Sequence, residues 1–329
     1  MPAKPSIWVG LDIGGTRLKG GAIDSRGRVR ARAVVATKPG QSMSAFERQL
    51  DTLVARLVRE ARGTLAGIGA AITGPVDPNL GCVYLPGKIR GLDRHRTIPY
   101  LRRRWRVPAI GDNDGRAACY AEWKVGAGRG TDNLVVLTLG TGIGSGVVLD
   151  GRLLTDRHLQ RGTQCGHFII DVDGPRCLTG TRGTGESLAS VTALVQQVRD
   201  ACARGLPTPL TALPADEVRF PQVSDAVRES DPIVTEIFER WLDRFGAVLL
   251  NSYYAYTPDF ILLAGGPTKA ADILLPPLQR RLNQAFRVPP GHPLPLRLAR
   301  LGEEAGWRGA ALLIRTAGEN PARTDPEAP

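Results

Sequence analysis

Two stretches of this 329-residue chain repeat one pattern: an apolar strand, a glycine turn and a second strand. The first runs from Ile7 through Asp12-Ile13-Gly14-Gly15-Thr16 into Arg17 to Ile23. The second runs from Leu134 to Leu139 through Gly140-Thr141-Gly142-Ile143-Gly144 into Gly146 to Leu149. An internal repeat of this kind predicts an α/β protein of two related halves, each with its own phosphate-sized loop and a cleft between them. In the first hairpin, backbone N–H groups and the Thr16 hydroxyl can point at phosphate oxygens. Glycine turns alone are weak evidence, because many only permit a tight bend. Neither G-x-x-x-x-G-K-[ST] nor a strand, G-x-G-x-x-G, helix unit occurs, so Walker-type and dinucleotide sites lack their signatures.

The rest of the chain fits around these repeats. A turn at Asp24-Ser25-Arg26-Gly27 leads to a third strand, Val29 to Ala36. Ser44 and Glu47 have the spacing of a capping box, and Phe46, Leu50, Leu53, Val54, Leu57 and Val58 follow with helical spacing. Gly67 to Thr73 reads as a strand. Pro108 to Ile110 reads as the end of another that delivers Gly111-Asp112-Asn113-Asp114 to a loop, with a helix over Arg116 to Trp123. Asp150-Gly151 is a hairpin turn. Asp231 and Pro232 open a long helix with Ile233, Ile237, Trp241, Phe245, Val248 and Leu249 on one face. Phe260 to Leu263 is a buried strand ending at Gly265-Gly266. Chain length favours two domains. They are expected at 1–115, with a helix at about 303–317 packing back on it, and at 116–302; residues 318–329 read as a disordered tail.

Charge narrows the partners. Lys+Arg 43 against Asp+Glu 32 gives a net charge of +11, and only six of the cations are lysines. Arginine forks match phosphates and carboxylates, so anionic partners suit the chain. Asn133 to Leu149 contains four glycines and is shorter than the roughly 20 apolar residues of a membrane helix. The N-terminal apolar run is too short for a signal peptide. The chain therefore reads as cytoplasmic, and its five cysteines, with no C-x-x-C pair, as reduced thiols.

Asp12, an acid at the end of a buried strand beside a phosphate loop, suits a ligand of the Mg²⁺ that accompanies a nucleotide, direct or through water. The alternative is a turn-capping aspartate. Together the motifs resemble the ROK family (repressors, open reading frames, kinases) of the actin-like ATPase superfamily. They are DIGGTRLKG (Asp12 to Gly20), GPVD (Gly74 to Asp77), DNDGRAA (Asp112 to Ala118), LGTGIGSG (Leu139 to Gly146), QCGH (Gln164 to His167), Glu186, LLAGG (Leu262 to Gly266) and EEAGWRGAALL (Glu303 to Leu313).

The resemblance implies an actin-like ATPase (ribonuclease H-like) fold and a glucokinase-like carbohydrate kinase using ATP and Mg²⁺. It implies a nucleotide site at Asp12, Gly14, Gly15, Thr16, Lys19, Gly140, Thr141, Gly142, Gly265 and Gly266. Asp114 becomes the general base, and Gly74, Asn113, Asp114, Gln164, His167 and Glu186 the sugar site. It also implies a homodimer or homotetramer. Physical chemistry agrees, since phosphoryl transfer needs a clamp on the transferring group and a carboxylate within reach of the attacking hydroxyl. Asn113-Asp114 also suits a helix N-cap, and one residue can do both jobs.

The chain departs from the family pattern in three places. Where many members hold a structural zinc with a histidine and three cysteines, this chain keeps His167 and Cys177 but has Thr179 and Thr184, so no zinc is expected. Gln164 replaces a glutamate and brings a donor N–H₂ to the sugar, and Arg157, His158 and Arg161 precede it. Gly87 to Leu92 is altered as well. These changes fall at the sugar end, leaving glucose, another hexose, an amino sugar, a cyclitol or an acidic sugar open. The basic stretch Lys88 to Arg106 reads as a solvated face, with polyphosphate as phosphoryl donor the sharper alternative. Only eleven residues precede Asp12, so no DNA-binding domain and no nucleic-acid partner are expected. The rival of another class is a non-catalytic sugar sensor.

Overall fold

A computed structural model of the chain describes residues 4–15, 17–37, 42–74, 76–77, 81–82, 95–155, 164–285 and 293–319. The chain divides into two compact units. One comprises the segment through Arg129, the short stretch from Leu153 and the segment from Glu303; the other comprises Gly130–Arg152 and Gln164–Gly302. The division thus falls after Arg129 rather than after Gly115.

The first unit opens with β1 (Ser6–Ile13), β2 (Arg17–Asp24) and β3 (Val29–Ala36), then α1 (Met43–Ala61), β4 (Thr64–Ile72), α2 (Thr97–Trp105), β5 (Ala109–Asn113) and α3 (Asp114–Val125). Its sheet has the order β3-β2-β1-β4-β5. β1 pairs antiparallel with β2 and parallel with β4, and β4 runs parallel to β5. Alternation along β1 sends Ile7, Val9, Leu11 and Ile13 into a core with Phe46, Leu50, Leu53, Val54 and Leu57 of α1. α1 begins two residues earlier than the sequence suggests. Ser42, not Ser44, is its cap, accepting from the Ala45 amide at 3.3 Å. The arginines of α2 are engaged locally: Arg102 donates to the Ala109 carbonyl at 2.8 Å and Arg104 pairs with Asp51 at 2.7 Å.

The second unit holds β6 (Leu134–Leu139), β7 (Ile143–Leu149), β8 (Arg152–Leu153), α4 (Gly185–Ala189), α5 (Val191–Ala203), α6 (Phe220–Arg228), α7 (Pro232–Tyr256), β9 (Phe260–Gly265), α8 (Ala271–Ala285) and β10 (Leu296–Leu298). Its strand order is β10-β9-β6-β7-β8. Reversed, this matches the first sheet strand for strand. β6 is antiparallel to β7 and parallel to β9, as β1 is to β2 and β4, and β9 is parallel to β10. The expected duplication is therefore present in the topology. Asp150 and Gly151 both adopt positive φ (48° and 68°) in the tight β7–β8 turn. α7 is capped by Asp231, which accepts from the Val234 amide at 2.8 Å. Its buried Ile237, Trp241, Phe245, Val248 and Leu249 anchor the helical layer.

The chain returns to the first unit in α9 (Ala305–Glu319), which packs against α3 and covers the sheet face opposite α1. The helix reaches Glu319, past the residue where the tail was expected to begin; residues 320–329 lie outside the described residues. Small residues on that face let α9 approach. A β-carbon on Gly10 would stand 1.8 Å from the Trp307 carbonyl oxygen, and one on Gly69 1.9 Å from that of Ala310.

Candidate functional site

In parallel α/β sheets, functional groups gather beyond the carboxyl ends of the strands. In the first unit, β1 ends at Asp12-Ile13, β4 leads to Gly74 and β5 ends at Asn113, and the register sets these ends side by side. Asp12 lies opposite Ala71, and Ile72 opposite Asn113. Asp114, the first residue of α3, extends the same edge.

The Asp114 carboxylate is held in place. Its Oδ1 accepts from the Gly115 amide at 2.9 Å and from Asn113 Nδ2 at 3.0 Å. Asn113 is the helix cap: its Oδ1 accepts from the Gly115 and Arg116 amides at 3.0 and 3.3 Å. Its Nδ2 also donates to the Gly74 carbonyl at 3.2 Å. The cap and the carboxylate are thus different residues, and Asn113 ties Gly74 and Asp114 together. Gly74 has φ 105°, which favours glycine. Behind this edge, buried Arg116 pairs with Asp112 at 2.9 Å, closing the first turn of α3 from within.

Asp12 lies directly across the hairpin from Lys19. It is partly buried, and Gly306 in the first turn of α9 passes so close that a β-carbon there would stand 3.0 Å from its carboxylate. Burial pushes the Asp12 carboxyl up to about 7, with Asp114 and Glu303 adding to the rise and Lys19 opposing it. Lys19 Nζ pairs with Glu303 at 3.3 Å and Arg17 with the same carboxylate at 3.6 Å. Glu303 is a charged member of this cluster that strand and turn patterns did not single out. The Gly14 amide donates to the Arg17 carbonyl at 3.1 Å, so it closes the turn, while Gly15 is exposed at the tip. Thr16 lies outside the described residues.

No group of three or more His, Cys, Asp or Glu residues arranged to hold a metal occurs among the described residues. Mg²⁺, however, is commonly held by one or two carboxylates plus phosphate oxygens and water. A carboxyl whose pKa is raised by burial and by two neighbouring acids is one that a divalent cation would relieve, so Asp12 fits that role.

In the second unit, β6 and β9 end together, Leu139 opposite Gly265. The Gly140 amide donates to the Gly142 carbonyl at 3.0 Å, and the Gly140 carbonyl accepts from the Val191 amide at the start of α5 at 3.1 Å. Thr141 is exposed. Gly265 has φ 103°, and a β-carbon on it would stand 2.0 Å from the Leu139 carbonyl oxygen. Gly266 next to it faces open space. Glu186, in the first turn of α4, accepts from the Ile143 amide at 3.1 Å.

Gln164 precedes a short helical turn, Cys165–His167, and is partly buried. Both ring nitrogens of His167 are inaccessible and lack a hydrogen-bond partner among the described residues. A buried imidazole without partners is costly, and one that awaits a polar ligand has a reason to be there. The other three zinc positions are engaged elsewhere. Cys177 Sγ contacts the Thr179 hydroxyl at 3.0 Å, and Thr184 caps α4 through the Ser187 amide at 3.2 Å. Hydrogen bonds from Thr179 and Thr184 lower the Cys177 thiol, against the upward pull of burial. Neutral hydroxyls do not complete a structural zinc site, so these residues do not fit that metal. The segment Gly87 to Leu92 and Arg157, His158 and Arg161 lie outside the described residues. All five cysteines are free, and no helix among the described residues is long and apolar enough to cross a membrane.

The profile of the ROK family matches residues 8–317. The chain is 28% identical over 310 residues to the glucokinase of Thermotoga maritima, covering 93% of this chain and 96% of that one. It is 29% identical over 319 residues to an N-acetylgalactosamine kinase of Shewanella sp. strain ANA-3, covering 93% and 96%. Its structure superposes on a ROK family glucokinase from Streptomyces griseus, solved with glucose and AMPPNP. The TM-score is 0.80 at 27% identity, over 94% of this chain and 99% of that one. The fold is that of the actin-like ATPases.

Proposed function

The chain belongs to the ROK family and is a carbohydrate kinase, and from that premise we propose that it transfers the γ-phosphoryl group of ATP to a primary hydroxyl, the 6-hydroxyl, of a hexose or related amino sugar. The observation that carries the reading is the Asp114 carboxylate, fixed at the strand edge through Oδ1 by Asn113 and the Gly115 amide. Asp114 takes the proton of the attacking hydroxyl as the bond to phosphorus forms. The two glycine turns and Gly265-Gly266 bind the nucleotide, with Lys19 as a cation beside the phosphates. When bound with the nucleotide, Mg²⁺ neutralises phosphate charge, and Asp12 is the residue that holds it. Gln164, His167 and Glu186 hold the sugar, and His167, with both nitrogens unpartnered among the described residues, is the strongest support for that assignment. Asn113 acts chiefly on Asp114, because both ends of its amide are already engaged.

A coupled assay of ADP release with MgATP across glucose, mannose, fructose, amino sugars and cyclitols tests the reading. It expects turnover on one of them; silence across the panel in protein that binds ATP would favour a sugar sensor. Polyphosphate in place of ATP, in the same assay, separates the two donors.

Two further outcomes follow. Asp12→Asn is expected to raise the melting temperature of the nucleotide-free protein above pH 7 by several degrees while removing turnover. The folded-state pKa of Asp12 lies above its ordinary value, so wild-type stability falls as pH rises towards about 7 and the deficit is complete above it. The gap between variant and wild type should therefore close on acidification below 7; a gap independent of pH contradicts the assignment. Metal analysis of purified protein is expected to find no stoichiometric zinc, and a chelator to leave the melting curve unchanged. One zinc per chain would overturn this.

A further inference from the structure

We infer that Glu186 positions the second glycine turn as well as serving the sugar, and so couples the two substrates; this rests on the sugar-kinase reading above. Glu186 Oε2 accepts from the Ile143 amide at 3.1 Å, and it occupies the space beside Gly142, where a β-carbon would stand 2.1 Å from it. Gly142 is therefore a glycine because a carboxylate lies against it. Glu186 Oε1 makes no hydrogen bond among the described residues, which leaves it for a hydroxyl.

The surrounding contacts make Glu186 a rigid strut. It sits in the first turn of α4, whose Gly185 amide donates to the Phe168 carbonyl at 2.8 Å, immediately after His167. The Cys165–His167 turn in turn lies on the same glycine loop: a β-carbon on Gly166 would stand 2.4 Å from the Ile143 carbonyl oxygen. On its other side the loop is held by α5 through the Val191 amide and the Gly140 carbonyl, 3.1 Å apart. The loop assigned to phosphate and the residues assigned to sugar are thus one packed assembly. A hydroxyl that orders the Glu186 carboxylate orders the Ile143 amide and the turn before it. By linkage, nucleotide bound at that turn favours the sugar to the same degree.

The test is titration of AMPPNP with Mg²⁺, without sugar, into wild type, Glu186→Ala, Glu186→Gln and Gly142→Ala. A charge-assisted hydrogen bond is worth about tenfold or more in affinity. Glu186→Ala is expected to weaken AMPPNP by about that factor. Gly142→Ala should do likewise, since the new methyl displaces the carboxylate. Glu186→Gln retains an acceptor for Ile143 and is expected to stay within about threefold of wild type, while the KM of the preferred sugar rises. Nucleotide affinity unchanged in Glu186→Ala would overturn the inference, as would equal losses in the Ala and Gln variants. The titration contains no sugar, so its failure is distinct from a failure to find an acceptor in the assay panel.

Discussion

Asp114→Asn is expected to lower kcat by about 10²–10⁴-fold, the usual worth of a positioned base, with a much smaller change in the KM of either substrate. Asparagine is the informative replacement because its Oδ1 can still accept from the Gly115 amide and from Asn113 Nδ2, at the 2.9 and 3.0 Å of the native pair. The capacity to take a proton is removed, together with the negative charge and the second acceptor oxygen. Asn113→Ala makes a second, graded probe. It leaves the carboxylate but removes the tie to Gly74 and the helix cap, so turnover should fall less than in Asp114→Asn. Stability should fall by about 1 kcal/mol. Steady-state kinetics with thermal melts of both variants checks the pair; near-normal turnover in Asp114→Asn would remove the mechanism.

Gly69→Ala is expected to destabilise the protein by more than about 3 kcal/mol, at the severe end of overpacking. The new methyl would meet the backbone carbonyl of Ala310 at 1.9 Å, and backbone in the middle of a buried helix has nowhere to go. Gly10→Ala, against the Trp307 carbonyl at 1.8 Å, should behave alike. Gly67→Ala is the control. Its nearest neighbour is the Ile314 side chain at 2.8 Å, which can rotate away, so its cost should be clearly smaller. Chemical denaturation of the three variants decides the matter; equal stabilities would mean that α9 does not rest on this face as closely as described. Because Gly306 of the same helix touches Asp12, loss of this packing is expected to disturb the Asp12 cluster too.

Much of this was legible from residue pattern. The repeated strand, glycine turn and strand named both sheets, and alternation placed Ile7, Val9 and Leu11 in a core. Asp231-Pro232 marked the start of α7 correctly, because an N-cap oxygen and a proline in the first turn act locally. The Ser44–Glu47 box failed for the same kind of reason: Ser42 offers an equally good cap oxygen two residues earlier, and local chemistry cannot choose between them. Contacts between distant segments were legible only in outline. A helix at about 303–317 was expected to pack back on the first half, but nothing around Gly67 and Gly69 placed its close approach there, although alternating glycines in a strand are a sign of close backbone approach. Glu186 was expected as a sugar ligand through resemblance alone, and its bond to the Ile143 amide has no sequence signature. Glu303 gathers Arg17 and Lys19 only because α9 returns to the first sheet.

In the proposed mechanism a carboxylate at the edge of the first sheet activates a sugar hydroxyl for attack on ATP. Its most direct test is ³¹P NMR of a reaction of wild type and Asp114→Asn with MgATP and the preferred sugar. The account requires a new phosphomonoester resonance coupled to the C6 methylene protons of the sugar, rising with ADP in wild type and absent over the same period in the variant. Release of inorganic phosphate with no sugar ester, or an ester that forms equally well in the variant, would contradict it.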